Sequence, residues 1–302
     1  METTSLGPSD LRVSRVGLGC NNFGRRLDRD ATAAVVEAAL EVGITFFDTA
    51  DVYGGGDSER FLGEALRRRR GDVVIATKFG QDTGLPGPGG SRGHVRASID
   101  ASLERLGTDV VDLYYYHRPD GVTPIAETVG AMRELIQKGK VCWLGLSNVD
   151  AGQLDEAVAT GDPVVAVQNR YSLMDRRDDA EVLPRCRELG IGYVPYFPLE
   201  SGLLTGKYRR GEPAPAGARL AGRGDDLSDD RFDRVEALES FAADRGRTLL
   251  ELAIGGLASI PGVSSVIAGA TRPEQVRANA AAGSWTLDAS GLERLAALSS
   301  QG

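Results

Sequence analysis

Cysteine is scarce in this chain of 302 residues: it occurs only at Cys20, Cys142 and Cys186, and no two of these form a Cys-x-x-Cys pair. An odd number of scattered cysteines argues against a disulfide framework and favours a reducing compartment. Residues 1–10 show no signal-peptide pattern, and no apolar run approaches the roughly 20 residues that cross a bilayer. The sequence therefore predicts a cytoplasmic protein that does not interact with membranes.

Positive charge is also in deficit, because 35 lysines and arginines face 43 aspartates and glutamates, which gives a formal net charge of −8 at pH 7. Proteins that bind nucleic acid irrespective of its sequence need a basic face that neutralises phosphates. We therefore expect no nucleic-acid partner. With two histidines and no clustered cysteines, we also expect no metal site.

Lysine is rare as well, since 31 arginines accompany only four lysines. The lysines and the two histidines are Lys78, Lys138, Lys140, Lys207, His94 and His117. Because arginine is the ordinary cation of this sequence, a lysine or histidine at a special position is a candidate functional residue. The rest of the composition, 41% hydrophobic and 26% charged, is that of a globular protein with a sizeable core.

Short apolar or β-branched runs alternate with helical periodicity at intervals of roughly 30 residues, as in successive βα units with a parallel sheet. The eight predicted strands span residues 16–19, 44–48, 73–78, 110–117, 141–147, 164–169, 192–197 and 266–268. The predicted helices span residues 31–42, 58–68, 91–106, 124–138, 151–160, 178–189, 232–258 (as two helices), 273–281 and 289–298.

Eight strands, each followed by a helix, predict an α/β fold with one (β/α)8 TIM barrel rather than a doubly wound sheet. Residues 3–6 and 11–16 flank a Gly-Pro-Ser-Asp turn and predict an N-terminal β-hairpin at the bottom of the barrel. No linker interrupts the pattern, so we expect a single domain over residues 1–302. The long loop at residues 206–230 indicates a lid over the binding site, with disorder as the alternative.

Glycine-rich stretches elsewhere lack the spacing of a nucleotide loop. Residues 17–24 are one residue too long for the dinucleotide fingerprint, and residues 202–207 are one residue too short for a Walker loop. Any nucleotide cofactor must therefore be held by other means.

Chemistry in such a barrel lies at the carboxyl ends of the strands. The second strand ends at Asp48, the third at Lys78 and the fourth at His117, and Tyr53 follows Asp48 in a glycine-rich loop. Taken singly, each residue has an ordinary structural explanation, as a turn cap, a surface cation, a core imidazole or loop packing. Together they place one of four lysines and one of two histidines at the same barrel mouth.

These four side chains have the chemistry of a general-acid site for carbonyl reduction. A lysine cation favours the phenolate of a nearby tyrosine and so strengthens Tyr53 as a proton donor. Asp48 would keep Lys78 charged and oriented, and His117 would hydrogen-bond a substrate carbonyl. Such a site needs a hydride source, which predicts a nicotinamide cofactor.

The segments around these residues resemble the aldo-keto reductase family. They are FDTADVYG at residues 47–54, TKFG at residues 77–80 and HRPD at residues 117–120. The resemblance extends from about Leu11 to Ala282 and implies that Asp48, Tyr53, Lys78 and His117 are the catalytic residues.

The resemblance also implies a set of cofactor contacts. Ser147, Asn148 and Gln168 would hold the nicotinamide carboxamide, and Tyr196 would stack on the nicotinamide ring. The pyrophosphate and adenosine contacts would come from Leu199, Ser201, Leu203, Lys207, Gly269, Thr271, Arg272, Gln275 and Asn279. Because a guanidinium suits a phosphate dianion, Arg272 favours NADP(H), with NAD(H) as the alternative.

Two features bear on specificity. Phe197 and Glu200 stand where many members of the family have a small polar residue and a glycine. Candidate substrate-pocket residues are Asn21, Phe23 and Phe79, together with Tyr53, His117 and whatever Arg219 to Arg223 contribute from the long loop. They do not select between sugars, aromatic aldehydes and ketones.

The sequence thus predicts NADPH-dependent reduction of an aldehyde or ketone to an alcohol, with Tyr53 as the proton donor and a small carbonyl compound or sugar as the substrate. One alternative is an NAD(P)⁺-dependent sugar or alcohol dehydrogenase that runs in the oxidative direction. Another is a cofactor-binding regulatory subunit with negligible turnover. The oligomeric state is left open.

Overall fold

Eight parallel strands form the centre of the molecule in the computed structural model, which describes residues 1–222 and 227–299. In sequence order they are β3 (Val16–Gly19), β4 (Phe46–Asp48), β5 (Val74–Phe79), β6 (Val111–Tyr116), β7 (Val141–Ser147), β8 (Val164–Gln168), β9 (Gly192–Tyr193) and β10 (Val266–Gly269). From β3 to β9 each strand pairs in parallel with the next, with a register shift between β7 and β8, and β10 pairs with β3. Isolated bridges from Tyr193 in β9 to Val263, just before β10, and from Tyr196, just after β9, to Ile267 in β10 close the (β/α)8 barrel, as predicted.

Helices surround the barrel and follow the predicted order. They are α1 (Arg29–Glu41), α2 (Asp57–Leu66), α3 (Arg92–Leu106), α4 (Ile125–Gln137), α5 (Ala151–Val158), α6 (Val182–Leu189), α7 (Asp229–Ala243), α8 (Leu249–Glu251), α9 (Pro273–Ala282) and α10 (Ala289–Ser299). Helix α8 continues into a π-helical turn at Leu252–Gly256. The predicted pair of helices at residues 232–258 is present, and Thr248 begins the second with a capping box to Glu251.

Alternation along the strands separates two apolar clusters. Phe46, Val74 and Leu113 point into the barrel, whereas Phe47 and Ile75 point outward to the helices. Asp48, Lys78 and His117 continue the inward series at the carboxyl ends of their strands. The same alternation that builds the core therefore carries the polar residues into the barrel mouth.

The predicted N-terminal hairpin closes the opposite end. Its strands β1 (Thr3–Ser5) and β2 (Arg12–Ser14) are antiparallel, and Leu6 and Val13 are fully buried among the inward-facing residues. At Gly7, whose φ is +56°, a Cβ would lie 2.2 Å from the Val165 carbonyl oxygen, so the turn approaches the barrel backbone too closely for a side chain.

The seventh barrel strand is shorter than predicted. Residues 192–197 were expected to be a strand, but the regular ladder covers only Gly192–Tyr193. Pro195 has no backbone N–H to donate, and Phe197 has a φ of +64°, which is incompatible with an extended strand. The chain leaves the sheet here and enters the loop that lines the barrel mouth.

Candidate active site

A buried ion pair lies at the ends of β4 and β5. Lys78 Nζ is 2.7 Å from Asp48 Oδ2, and it also donates to the Thr49 carbonyl oxygen at 2.8 Å. Gln168 donates to the other Asp48 oxygen at 2.9 Å. Burial alone would lower the pKa of Lys78, but the charge of Asp48 and the neighbouring Tyr53 raise it above its ordinary value. Lys78 is therefore a fixed cation beneath the cavity floor.

Tyr53 lies directly beside this cation. Its ring centroid is 5.2 Å from Lys78 Nζ, and the turn that holds it uses Gly54 and Gly55 at positive φ. Burial raises the pKa of Tyr53 above its ordinary value, and the Lys78 charge opposes that rise without cancelling it. The expected lowering by lysine is thus present but smaller than the effect of burial. Tyr53 carries its proton at neutral pH, which a proton donor must do.

His117 faces Tyr53 across the cavity. The two rings meet edge to face, with centroids 5.7 Å apart and an interplanar angle of 82°. Burial, Lys78 and Arg118 hold the pKa of His117 well below its ordinary value, so the imidazole is neutral at pH 7. Gln81 Nε2 is 3.0 Å from His117 Nδ1. When Gln81 donates to Nδ1, the proton of the neutral ring lies on Nε2.

One cavity of about 550 Å³ opens at this end of the barrel. The predicted site residues on its wall are Asn21, Asp48, Tyr53, His117, Asn148, Gln168, Tyr196, Leu199, Ser201, Lys207, Gly269, Thr271, Gln275 and Asn279. The structure thus brings three of the four catalytic candidates and most cofactor candidates to one cavity, with Lys78 buried beside it.

Several predicted contacts lie elsewhere. Phe23 and Phe79, expected in the substrate pocket, are fully buried in the outer core, and Phe79 stacks on Tyr114 at a centroid distance of 4.7 Å. Because Lys78 points inward, strand alternation directs Phe79 outward. Leu203, expected along the pyrophosphate, is also a core residue, with 1% of its surface exposed.

Two further predicted residues, Ser147 and Arg272, lie at the edge of the site or outside it. Ser147 is buried behind the wall and accepts a hydrogen bond from the Asn148 side chain. Arg272 is exposed at the start of α9 and does not line the cavity. Arg223 lies outside the residues that the structure describes.

Asn148 lies on the cavity wall and makes hydrogen bonds to two neighbouring residues. Its amide donates to the His117 carbonyl oxygen at 2.8 Å, and its Oδ1 accepts from the Tyr196 hydroxyl at 2.8 Å. These bonds occupy the side chain within the protein. Asn148 therefore orients the Tyr196 ring and the chain after His117.

Unusual backbone geometry concentrates on this cavity. In the described part of the chain, the non-glycine residues with positive φ are Asn148 (57°), Phe197 (64°), Glu200 (45°) and Ser201 (59°). All four line the cavity. Such conformations cost free energy and cluster at functional sites.

A sequence profile of the aldo/keto reductase family matches residues 15–300. The chain belongs to this family. A probable voltage-gated potassium channel subunit beta from Arabidopsis thaliana is 40% identical over 301 residues, which cover 92% of this chain and 90% of the relative. L-glyceraldehyde 3-phosphate reductase from Escherichia coli is 33% identical over 302 residues, which cover 92% of this chain and 86% of the relative.

A solved structure agrees with this assignment. The holo form of an aldo-keto reductase from Bacillus halodurans has a TM-score of 0.84 and 32% identity, covering 99% of this chain and 96% of that chain. The relatives' names thus include both an enzyme and a channel subunit. The activity of this aldo/keto reductase has to be argued from its own residues.

Glu200 is one residue that distinguishes this aldo/keto reductase from the expected pattern. Its carboxylate is buried, accepts from Ser172 at 2.9 Å and pairs with Arg170 at 2.9 Å. Arg170 also lies over the Phe197 ring, 4.9 Å from its centroid. The two departures, Phe197 and Glu200, are therefore joined by one arginine, which holds the loop after β9 in place.

The long loop of this aldo/keto reductase reaches across the cavity. Arg219 donates to Asn22 Oδ1 at 3.1 Å, which connects the loop to the segment after β3. Leu220 is buried, and its backbone N–H donates to the Tyr208 hydroxyl at 3.1 Å. These contacts favour the lid interpretation for residues 217–220, whereas residues 223–226 of the same loop lie outside the described chain.

Sequence reasoning missed Gln81, Arg26 and Arg118 as cavity residues. Arg118 is contiguous with His117, so its position after a strand end was an available signal. Gln81 and Arg26 lie in loops whose paths the sequence pattern does not specify.

Two absences concern the part of the aldo/keto reductase that the structure describes. There, no group of histidine, cysteine and carboxylate side chains is arranged to hold a metal ion. Over the same residues, no helix combines the length and apolar character of a membrane span.

Proposed function

We propose that this aldo/keto reductase reduces an aldehyde or ketone to an alcohol with NADPH. The observation that carries the proposal is the combination of a protonated Tyr53 on the cavity wall, the buried Asp48–Lys78 pair at 2.7 Å beside it, and the neutral His117 opposite. This arrangement supplies a proton donor, a fixed cation and a neutral hydrogen-bond donor around one point in the cavity.

The cavity fits a nicotinamide dinucleotide in shape and charge. The Tyr196 ring lies on the wall with its hydroxyl held by Asn148, which offers a fixed face for stacking. The Gln168 amide nitrogen donates to Asp48, so the Gln168 side-chain oxygen can accept a hydrogen bond from a carboxamide. Ser201 and Lys207 line the cavity and belong to the segment where a pyrophosphate would bind. Gln275 and Asn279 also line the cavity and belong to the segment predicted to contact the adenosine.

Preference for NADP(H) is supported by the charge near α9. Burial lowers the pKa of Lys207, and the charges of Arg219, Arg26 and Arg272 lower it further, so Lys207 lies in a positive field. A phosphate dianion offsets this field, and the N-terminus of α9 adds a favourable dipole. NADP(H) carries a 2′-phosphate that NAD(H) lacks, so it brings one more such group to these cations.

The side chains divide the reaction among them. The nicotinamide, when bound, supplies the hydride. His117 Nε2–H orients the substrate by hydrogen-bonding its carbonyl oxygen, and Tyr53 donates its hydroxyl proton to that same oxygen. Lys78 stabilises the phenolate that remains on Tyr53, while Asp48 keeps Lys78 in place. Gln81 maintains the His117 tautomer that can donate.

The proposal is tested by Tyr53→Phe, assayed by carbonyl-dependent NADPH oxidation. Removing the proton donor is expected to lower kcat by roughly 100- to 10,000-fold, with no loss of the cooperative melting transition. Tyr114→Phe is a matched control, because the Tyr114 hydroxyl is buried without a hydrogen-bond partner in the described structure. Substantial turnover by Tyr53→Phe would contradict the assignment.

Two other functions use the same site. Oxidation of a sugar or alcohol by NAD(P)⁺ reverses the proton transfer at Tyr53, and steady-state rates in both directions separate it from reduction. A regulatory role is favoured by the similarity to a probable potassium channel subunit beta. A binding role does not require a proton donor, so the complete set of Asp48, Tyr53, Lys78 and His117 supports catalysis instead. Tight NADPH binding without turnover on any carbonyl would support the regulatory role.

A further inference from the structure

The charged side chains on the cavity wall include more cations than carboxylates. Both carboxylates, Asp48 and Glu200, have cationic partners, Lys78 at 2.7 Å and Arg170 at 2.9 Å. The cations on the wall are Arg26, Arg118, Lys207 and Arg219. The cavity therefore presents excess positive charge in a protein whose formal net charge is −8.

Three of these wall cations form one group at the cofactor end. The charges of Arg26 and Arg219 both reach Lys207, as does that of Arg272 on α9. Lys207 follows the strained segment that contains Glu200 and Ser201. The phosphates of the proposed cofactor are sufficient to account for this group.

Arg118 lies apart from that group, at the end where reduction would occur. It follows His117 directly, and its charge acts on both His117 and Tyr196. Within residues 1–222 and 227–299, its guanidinium makes no hydrogen bond or ion pair, although it lies on the wall and is exposed. An uncompensated guanidinium beside the reacting groups has no role in the mechanism derived above.

We infer that Arg118 binds an anionic group of the substrate, so that this reductase acts on carbonyl compounds carrying a carboxylate or a phosphate a few bonds from the carbonyl carbon. The inference rests on the proposed carbonyl reduction. A guanidinium presents a planar pair of N–H donors that suits either anion, and such charge-assisted bonds are about twice as strong as neutral ones.

The geometry agrees with a small substrate. His117 and Arg118 directly follow β6, and the side chains of both residues line the cavity. A carbonyl oxygen held by His117 leaves the remainder of a short molecule within reach of Arg118. Positive potential in a cleft of an acidic protein also raises the local concentration of anionic ligands.

The test compares matched pairs of substrates that differ in one charge. One pair is para-carboxybenzaldehyde and its neutral methyl ester, and the other is glyceraldehyde phosphate and glyceraldehyde. The measured quantity is the ratio of kcat/KM for the anionic member to kcat/KM for the neutral member. A ratio cancels any effect of a variant on His117, because both substrates of a pair use the same catalytic groups.

The variants are Arg118→Met, which removes the charge at similar length, and Arg118→Lys, which keeps a charge but loses the planar fork. Arg68→Met is the control, since Arg68 is exposed at the end of α2, away from the cavity. We expect Arg118→Met to lower the ratio roughly 10- to 100-fold for at least one pair, the range for a lost hydrogen bond to a charged group. Arg118→Lys should retain part of the ratio, and Arg68→Met all of it.

A loss confined to one pair identifies carboxylate or phosphate as the preferred anion. Equal ratios in wild type and Arg118→Met for both pairs would overturn the inference while leaving carbonyl reduction intact. Weaker NADPH binding by Arg118→Met, with unchanged ratios, would also overturn it by assigning Arg118 to the cofactor. If the wild-type protein reduced other carbonyl compounds but neither anionic aldehyde, the inference would fail and the proposed function would stand, whereas reduction of no carbonyl compound would overturn both.

Discussion

The two ends of the barrel use the same strands for opposite purposes. At the amino ends of the strands, Leu6 and Val13 of the hairpin are buried among inward-facing apolar residues such as Val74 and Leu113. At the carboxyl ends the inward positions hold charged and polar side chains, and the backbone is strained. The comparison shows that one alternation pattern can provide stability at one end and chemistry at the other.

The largest expected effect on activity comes from substituting Lys78, at the mouth of the barrel. Lys78→Met should lower kcat by roughly 1,000-fold, because Tyr53 loses the cation that stabilises its phenolate. It should also destabilise the fold by about 3–5 kcal/mol, since Asp48 is left as an unpaired buried charge. Thermal melting and kcat measured on the same preparation report the two losses.

A second substitution separates the two losses. Adding Asp48→Asn to Lys78→Met removes the buried charge and should recover much of the melting temperature without recovering kcat. Lys138→Met serves as the surface control. Recovery of both stability and activity in the double variant would contradict the role given to Lys78.

The next largest effect is a loss of stability at the bottom of the barrel, where the N-terminal hairpin lies. Leu6→Ala should lower the free energy of unfolding by about 2–5 kcal/mol, because it leaves a cavity where a fully buried leucine filled the barrel. We expect kcat to be unchanged, since the hairpin lies at the end opposite the cavity. Leu11→Ala, at a partly buried position of the same hairpin, should cost less. A large fall in kcat for folded Leu6→Ala would break the separation between the ends.

A smaller effect is expected at Gln81. Gln81→Leu removes the donor to His117 Nδ1, so part of the imidazole adopts the tautomer that cannot donate from Nε2. We expect kcat to fall up to about 10-fold, the equivalent of one ordinary hydrogen bond. Stopped-flow measurement of the reduction step reports this directly. Gln137→Leu on the exposed face of α4 is the control, and an equal loss there would remove the tautomer explanation.

The smallest effect on kcat is expected at Asp51, which does not line the cavity and acts instead on the pH dependence of stability. Asp51 is buried, neither carboxylate oxygen has a partner in the described structure, and burial together with Glu59 raises its pKa from 3.8 to about 7. Between these values the native state binds more protons than the unfolded state, so this group's contribution to stability decreases as pH rises through about 7. Asp51→Asn should therefore gain in melting temperature relative to wild type between about pH 5 and about pH 8. A constant difference would contradict the assigned pKa.

Periodicity was sufficient to predict the barrel, because each strand and helix buries one face at a regular spacing. It was also sufficient to bring Asp48, Lys78 and His117 to one end, since they share a face with predicted core residues. Periodicity failed to predict features that do not depend on the spacing of apolar residues. Phe23 lies in a loop whose path depends on tertiary contacts, and the shortened strand at residues 192–197 depends on a proline and on positive φ at Phe197.

Contacts between distant loops could not be read from the pattern at all. The bond from Arg219 to Asn22 joins residues 197 positions apart, and Gln81 meets His117 across two loops. Phe79 is different, because alternation from Lys78 already directs it outward. The prediction placed Phe79 in the substrate pocket because it follows Lys78 in the sequence, although neighbouring residues of a strand point to opposite faces.

The strained backbone at Asn148, Phe197, Glu200 and Ser201 constrains how this protein can be improved. Engineering for heat resistance commonly rewards substitutions that relax the backbone, and glycine at Asn148 or Ser201 is such a substitution. Yet Asn148 holds Tyr196 and Glu200 holds Arg170, so relaxing these positions would loosen the cavity wall. A library selected only for heat resistance should therefore lose turnover at these four positions first, and gains compatible with activity should be sought in the hairpin and helices.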